Sequence, residues 1–442
     1  MITSPVGSAA LEARTIRKAS VRIIPFVFIL FVVAALDRNN IGFAALTMNR
    51  ELGITSQQYG FIAGIFFFGY FIFEIPSNLL LHRIGARIWI ARILVTWGVI
   101  TIVSGFARSA HQLYATRFLL GFAEAGYFPG ILLYLTYWFR EQHFAQTVAL
   151  FLTANPVANI VGAPFSGIIL DHVHWLGLSG WRWLLILEGV PAVIGGVLTY
   201  FLLPGRPAEA KFLTPEEKVW ITTELEREER EKVAGGQVTV AQVLVHGRIW
   251  HLTAIYFTAL LGFYSMIFWM PQLVKALSSQ YSNTTVGILV MIPYLIGLPV
   301  MILVSRSSDR RLERRYHAAL PLLVAAAALV LLGLLAPSSV FLALILWGLV
   351  ASGVFSLWGP FWGLPNQFLT GYSAAAGIAL INCFGNLGGF VGPYTLGAIE
   401  NQTGSFKIGL VFVGLSLLTS TILILVLPKR AAPVAAAVAL MR

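Results

Sequence analysis

The sequence predicts an all-α membrane protein of twelve transmembrane helices in two pseudo-symmetric halves of six. Three observations predict it. The 442 residues are 57% hydrophobic and only 11% charged, under half the charge of an ordinary soluble chain. Apolar stretches of about 20 residues, the length a helix needs to cross a bilayer, recur along the whole chain. The basic residues gather in alternate connections between those stretches. The net charge of +11 therefore reads as membrane topology, and no nucleic-acid partner is expected.

The spans, taken in order, cover approximately 22–46, 58–81, 88–107, 112–138, 144–170 and 182–203 in the first half. The second half has 251–274, 284–305, 317–336, 339–366, 374–398 and 406–428. The halves are thus 22–203 and 251–428, with a tail at 1–21, a linker at 204–250 and a second tail at 429–442. The first twenty residues are polar and basic, without a cleavable apolar core, so the first span is expected to anchor the chain itself. With the N-terminus inside, the inner segments carry 22 Lys and Arg against five outside. That asymmetry puts both termini in the cytoplasm of a multi-pass inner (plasma) membrane protein. Both halves carry a short basic turn between their second and third spans: 82–87 in one, 306–315 in the other. Repeated halves around a midplane site are the layout of many secondary transporters.

The linker contains one soluble-looking helix. Thr214 is its expected N-cap, Pro215 the first helical residue and Glu217 the capping-box acid. Gly235 and Gly236 are expected to end it. The single cysteine, Cys383, lies in an apolar span, so no intramolecular disulfide and no cysteine metal site are available.

Charges inside the spans carry the functional signal. Ala34-Ala35-Leu36-Asp37-Arg38-Asn39-Asn40 interrupts the apolar run of the first span. A charge at mid-membrane depth costs roughly 2.5–3.5 kcal/mol or more, so it is normally paired or lines a wet cavity. Arg117 and Glu124 lie in the fourth span, seven residues apart, two turns along one helix face. The four are expected to meet in one cavity that binds an anion together with a proton. The sequence leaves the pairing open. Arg117 reaches Glu124 only with both side chains extended, and Asp37 with Arg117 or Arg38 with Glu124 are equally available. A closed structural ion-pair network is the bland alternative.

Weaker candidates follow. Asn155 and Asn159 share a face of the fifth span, either for substrate or as helix-to-helix glue. Asn382 and Asn386 repeat that spacing in the eleventh. Tyr70 and Tyr264 suit ligand contact or packing. Glu74 before Pro76, and Glu188 before Pro191, read as structural. The eight histidines lie in or near loops and make no metal-ligand set. No phosphate-binding glycine loop is present, so ATP-driven transport is not expected, nor any cofactor beyond the coupling proton.

These residues resemble the major facilitator superfamily. Arg83-Ile84-Gly85-Ala86-Arg87 is similar to its loop signature, with Asn78 and His82 in place of the usual Gly and Asp. The segments 37–40, Glu74-Ile75-Pro76-Ser77-Asn78, 117–126 and Leu135-Thr136-Tyr137-Trp138-Phe139 resemble the anion:cation symporter family within it. That family includes bacterial tartrate, aromatic-acid and sugar-acid permeases. The resemblance implies that Asp37 and Glu124 carry the coupled proton and that Arg38 binds the substrate carboxylate. It implies that Arg117 communicates with Glu124, and that Tyr70 and Asn382 hydrogen-bond substrate. Ala35 stands where sugar-acid relatives carry a pocket tyrosine.

The expected function is proton-coupled import of a small organic anion by a monomer. An exchanger without proton coupling, a drug exporter, and a membrane receptor that binds without moving its ligand are the alternatives. The protein is not expected to be an enzyme.

Overall fold

A computed structural model describes residues 5–234, 246–278, 280–335, 339–365 and 371–427. All regular structure among them is helical. The first half comprises α1 (Pro5–Leu52), α2 (Ser56–Ile84), α3 (Ala86–Ser104), α4 (Ala110–Glu124), α5 (Tyr127–Thr136), α6 (Glu141–Leu152), α7 (Ala154–His172) and α8 (Gly180–Leu202). Helix α9 (Pro215–Ala234) lies in the linker. The second half comprises α10 (Gly247–Lys275), α11 (Asn283–Arg311), α12 (Arg315–Leu335), α13 (Val340–Ser356), α14 (Trp358–Trp362), α15 (Gly371–Gly385), α16 (Gly388–Thr403) and α17 (Lys407–Val426).

Twelve spans account for these helices because four of them are broken. The fourth span is α4 and α5, the fifth α6 and α7, the tenth α13 and α14, the eleventh α15 and α16. The first break matters most, because it falls at Ala125 and Gly126, directly after Glu124. Gly126 has φ +85 there, a backbone that side chains rarely adopt. A Cβ on it would meet Ser77 Oγ at 2.3 Å. That same hydroxyl donates to the Ala125 carbonyl at 2.6 Å and accepts from Trp89 Nε1 at 2.9 Å. The segment 74–78 thus satisfies a backbone group that the broken helix releases, as a membrane interior requires.

Corresponding spans pair alike in the two halves. The third packs on the sixth (α3 on α8), as the ninth does on the twelfth (α12 on α17). Between halves, α2 runs along α16 and α7 along α11, with α1 against α10. Small residues allow that approach: a Cβ on Gly287 would lie 2.2 Å from the Ala163 carbonyl.

The seams are closed at the end opposite the linker. Tyr59 donates to the Phe268 carbonyl at 2.7 Å and Gln57 to Tyr394 at 3.1 Å. Asp171, at the end of α7, accepts from Thr284 N–H and Oγ1 at 2.7 Å each and from Asn283 Nδ2 at 2.8 Å. It thereby caps α11 across the seam.

The N-terminal segment is more ordered than a tail. Helix α1 runs 48 residues, roughly 70 Å, more than twice the hydrocarbon thickness. Its projecting turns are held by opposite charges. Arg14 and Lys18 reach Glu217 at 2.7 and 2.9 Å, and Glu12 meets Arg140 at 2.9 Å. The linker helix starts as the sequence predicts. Glu217 accepts from Thr214 N–H at 2.8 Å, and Thr214 Oγ1 from Glu217 N–H at 3.3 Å. Burial pushes the Glu217 carboxyl up. The Thr214 N–H, Lys18 and Arg14 outweigh it and hold it below the usual carboxylate value. Gly235, Gly236 and the segment 429–442 lie outside the described residues.

Candidate functional site

The long α1 brings Asp37, Arg38, Asn39 and Asn40 to the middle of the first half, and neighbours on a helix diverge by about 100°. Arg38 therefore points into the seam while Asp37 points back among α3, α4 and α8. Arg38 is the hinge of the cluster. One guanidinium nitrogen forms an ion pair with Glu124. The other terminal nitrogen donates to the Tyr264 hydroxyl at 3.1 Å, reaching α10 in the second half. The guanidinium also stacks over Phe66 and Tyr70, 5.4 and 5.9 Å from their ring centres. Such cation–π contacts strengthen when desolvated. Arg38 keeps 17% of its side chain accessible, and Glu124 keeps 1%.

Arg117 sits on the other side of Phe66, 5.3 Å from the ring centre. It is buried, and among the described residues its hydrogen bonding is a long 3.5 Å contact to the Arg38 carbonyl, with no carboxylate within ion-pair distance. Of the pairings open in the sequence, the structure forms Arg38 with Glu124 and not Asp37 with Arg117. Two guanidinium groups thus face one directly bonded carboxylate. An excess buried cation is costly unless an anion joins it.

Asp37 turns to a different partner. Its Oδ2 accepts from Trp97 Nε1 at 2.5 Å. Tyr70 and Tyr264 both border Arg38. Asn382 bonds other groups. It donates to Glu74 at 2.5 Å and accepts from Tyr256 at 3.4 Å. Asn155 belongs to an amide chain instead: Asn39 donates to Asn159 at 3.1 Å, and Asn159 to the Asn155 carbonyl at 2.9 Å. The Asn39–Asn159 bond ties α1 to α7, and Asn155 supports Asn159 one turn away on the same helix.

Two residues read as structural in the sequence turn out to face side chains rather than backbone. Glu74 grips Asn382 across the seam, and Glu188 accepts from Ser166 at 3.2 Å. The signal that flags them is the one that flagged Asp37, an acid inside an apolar span.

A membrane-spanning bundle of paired halves, with arginines and acids enclosed at the seam, defines a secondary transporter rather than an enzyme. The Major Facilitator Superfamily family model matches residues 27–393. The chain belongs to the Major Facilitator Superfamily. It is 44% identical over 423 residues to a putative tartrate transporter of Agrobacterium vitis, covering 95% of this chain and 92% of that one. It is 39% identical to a quinolone resistance transporter of Acinetobacter baumannii, covering 93% and 94%. Its fold is similar to that of the xylose transporter XylE from E. coli in an inward open conformation. The TM-score is 0.74 at 14% identity, over 95% of this chain and 99% of that one.

Proposed function

We propose that the protein imports a small organic anion together with a proton by alternating access, with tartrate-like hydroxy-diacids as the first candidates. The observation that supports this most is Arg38, bonded to Glu124 in its own half and to Tyr264 in the other. A substrate carboxylate competes with Glu124 for the guanidinium fork, which suits planar anions. The displaced carboxyl then takes the coupled proton, since an unpaired charge is costly in a dry site. Tyr264 reports occupancy to the second half. Arg117 holds the site electropositive, with Tyr70 and Asn382 on its border and Asp37 as a second proton carrier. The similarity to the tartrate relative supports the anion class. In this reading the carrier is a monomer of the inner membrane with both termini cytoplasmic.

The similarity to the quinolone resistance relative favours a second reading, in which a carboxylate-bearing drug is exported through the same arginine. Direction separates the two. In proteoliposomes with an imposed proton gradient, an importer of this kind accumulates labelled tartrate with the protons, and an exporter moves its cargo against them. Glu124→Gln is expected to abolish uphill accumulation. If that variant still concentrates tartrate under the gradient, the proton assignment is wrong.

A further inference from the structure

We infer that Arg92, stacked on Trp89, binds the phosphate of an anionic phospholipid in the leaflet on the linker side. The site lies on the outer surface of the first half, apart from the Arg38 cluster, and takes a lipid rather than the cargo.

Helix α3 has 19 residues, roughly 28 Å, so it only just crosses the hydrocarbon. Its start lies on the linker side, where Arg87 pairs with Glu209 at 3.6 Å. Arg92 stands about 9 Å further in along the axis. Ile88, Arg92, Val99 and Val103 fall on one helix face. That face looks outward, because its three apolar members are 43, 46 and 52% exposed. The face that packs on α8 is a different one, with Gly98 against Gly189. Arg92 is therefore a charge on a lipid-facing stripe, below the membrane surface.

Side chains on a helix lean toward its N-terminus, which carries this guanidinium back toward the linker side. It rests 3.9 Å from the ring centre of Trp89. That platform is itself fixed, because Trp89 Nε1 donates to Ser77 Oγ at 2.9 Å. Arg92 Nε and Nη2 are enclosed without a hydrogen-bond partner. Among the described residues no carboxylate forms an ion pair with the group. The cation–π stack offsets part of the cost of an enclosed cation, but a ring brings no opposite charge. An anion meeting Nη1 from the lipid side does. A dissolved anion must leave water to reach this depth. A lipid phosphate arrives with acyl chains that lie along Val99 and Val103. The turn just before α3 adds His82, Arg83 and Arg87, with Glu209 beside Arg87. That basic surround favours a headgroup of net negative charge over a zwitterionic one.

The test uses the full chain in a neutral detergent, with folding checked by size-exclusion. Phosphatidylglycerol, phosphatidylcholine and inorganic phosphate are titrated in separate arms. Native mass spectrometry counts retained lipid, and melting temperature reports stabilisation by mass action. The wild type is expected to retain phosphatidylglycerol in preference to phosphatidylcholine and to melt higher with it. Arg92→Leu suits an apolar stripe and is expected to weaken the tightest phosphatidylglycerol site roughly fivefold or more. Arg310→Gln removes an exposed arginine from the other basic turn and is expected to leave that site nearly unchanged. The inference is overturned if the wild type binds phosphatidylcholine as tightly as phosphatidylglycerol, a result that needs no variant to fold. It is also overturned if Arg92→Leu loses no more binding than Arg310→Gln. Stabilisation by inorganic phosphate equal to that by the lipid overturns it too, because a free anion then suffices.

Discussion

The two halves share one architecture and divide the chemistry unequally. Asp37, Glu74, Arg117 and Glu124 are all buried in the first half, with Arg38 nearly so. The second half, among its described residues, buries no charged side chain. It contributes Tyr256, Tyr264, Asn382 and Asn386, with aromatic rings packed around them: Tyr264 lies 4.3 Å from Phe67 across the seam, and Tyr256 5.2 Å from Phe361. Equivalent spans pack alike, so the asymmetry is not imposed by the fold. It teaches that one half holds the charges while the other presents neutral hydrogen-bonding groups to whatever sits between them. Parting a neutral wall from a charged one breaks hydrogen bonds, Arg38 with Tyr264 and Glu74 with Asn382, but no ion pair between the halves among the described residues.

Two variants probe that division, and a third sets the scale outside it. The largest effect is expected from Arg38→Lys. A point charge loses the fork that bonds Glu124 and Tyr264 together. One charged hydrogen bond is worth about 1.5–3 kcal/mol, so tartrate affinity should fall roughly tenfold or more. Binding isotherms on purified protein measure it, and unchanged affinity would move the anion site elsewhere. Tyr264→Phe tests the neutral wall. It removes a single hydroxyl, worth about 0.5–1.5 kcal/mol, and should weaken affinity a few-fold while leaving the pH profile of uptake in place. A shifted pH profile there would mean that the second half also handles protons.

The smallest effect lies outside both halves, at the linker. Glu217→Gln should cost about 1 kcal/mol or less of stability, because Arg14 and Lys18 are half-exposed and screened. The wild-type carboxyl is held below its usual value. Its contribution is therefore complete above the ordinary glutamate value and is lost as pH falls through the lowered one. The melting-temperature gap between wild type and variant should be present at neutral pH and close in acid. A gap that stays constant into acid would show that packing, not charge, is what Glu217 supplies.

The spans, the repeat and the identity of the central charges are written in composition and spacing, because hydropathy and mid-membrane charge are one-dimensional properties. Glu217 as a helix-start acid is equally local, since a capping box spans only four residues. The break at Gly126 was available as a signal in Gly126-Tyr127-Phe128-Pro129-Gly130, where glycine and proline crowd an otherwise helical run, but its purpose was not. Only the assembled bundle shows Ser77 closing the broken helix beside Glu124.

What the sequence alone determines is therefore a charged centre in a greasy twelve-span protein, and which residues carry those charges. The tertiary structure decides who faces whom. It pairs Arg38 with Glu124, turns Asp37 to Trp97, and carries Glu74 across the seam to Asn382. The physical reason is that partners between helices depend on each helix's rotation, tilt and depth, which the packing of all twelve sets jointly and no single period encodes.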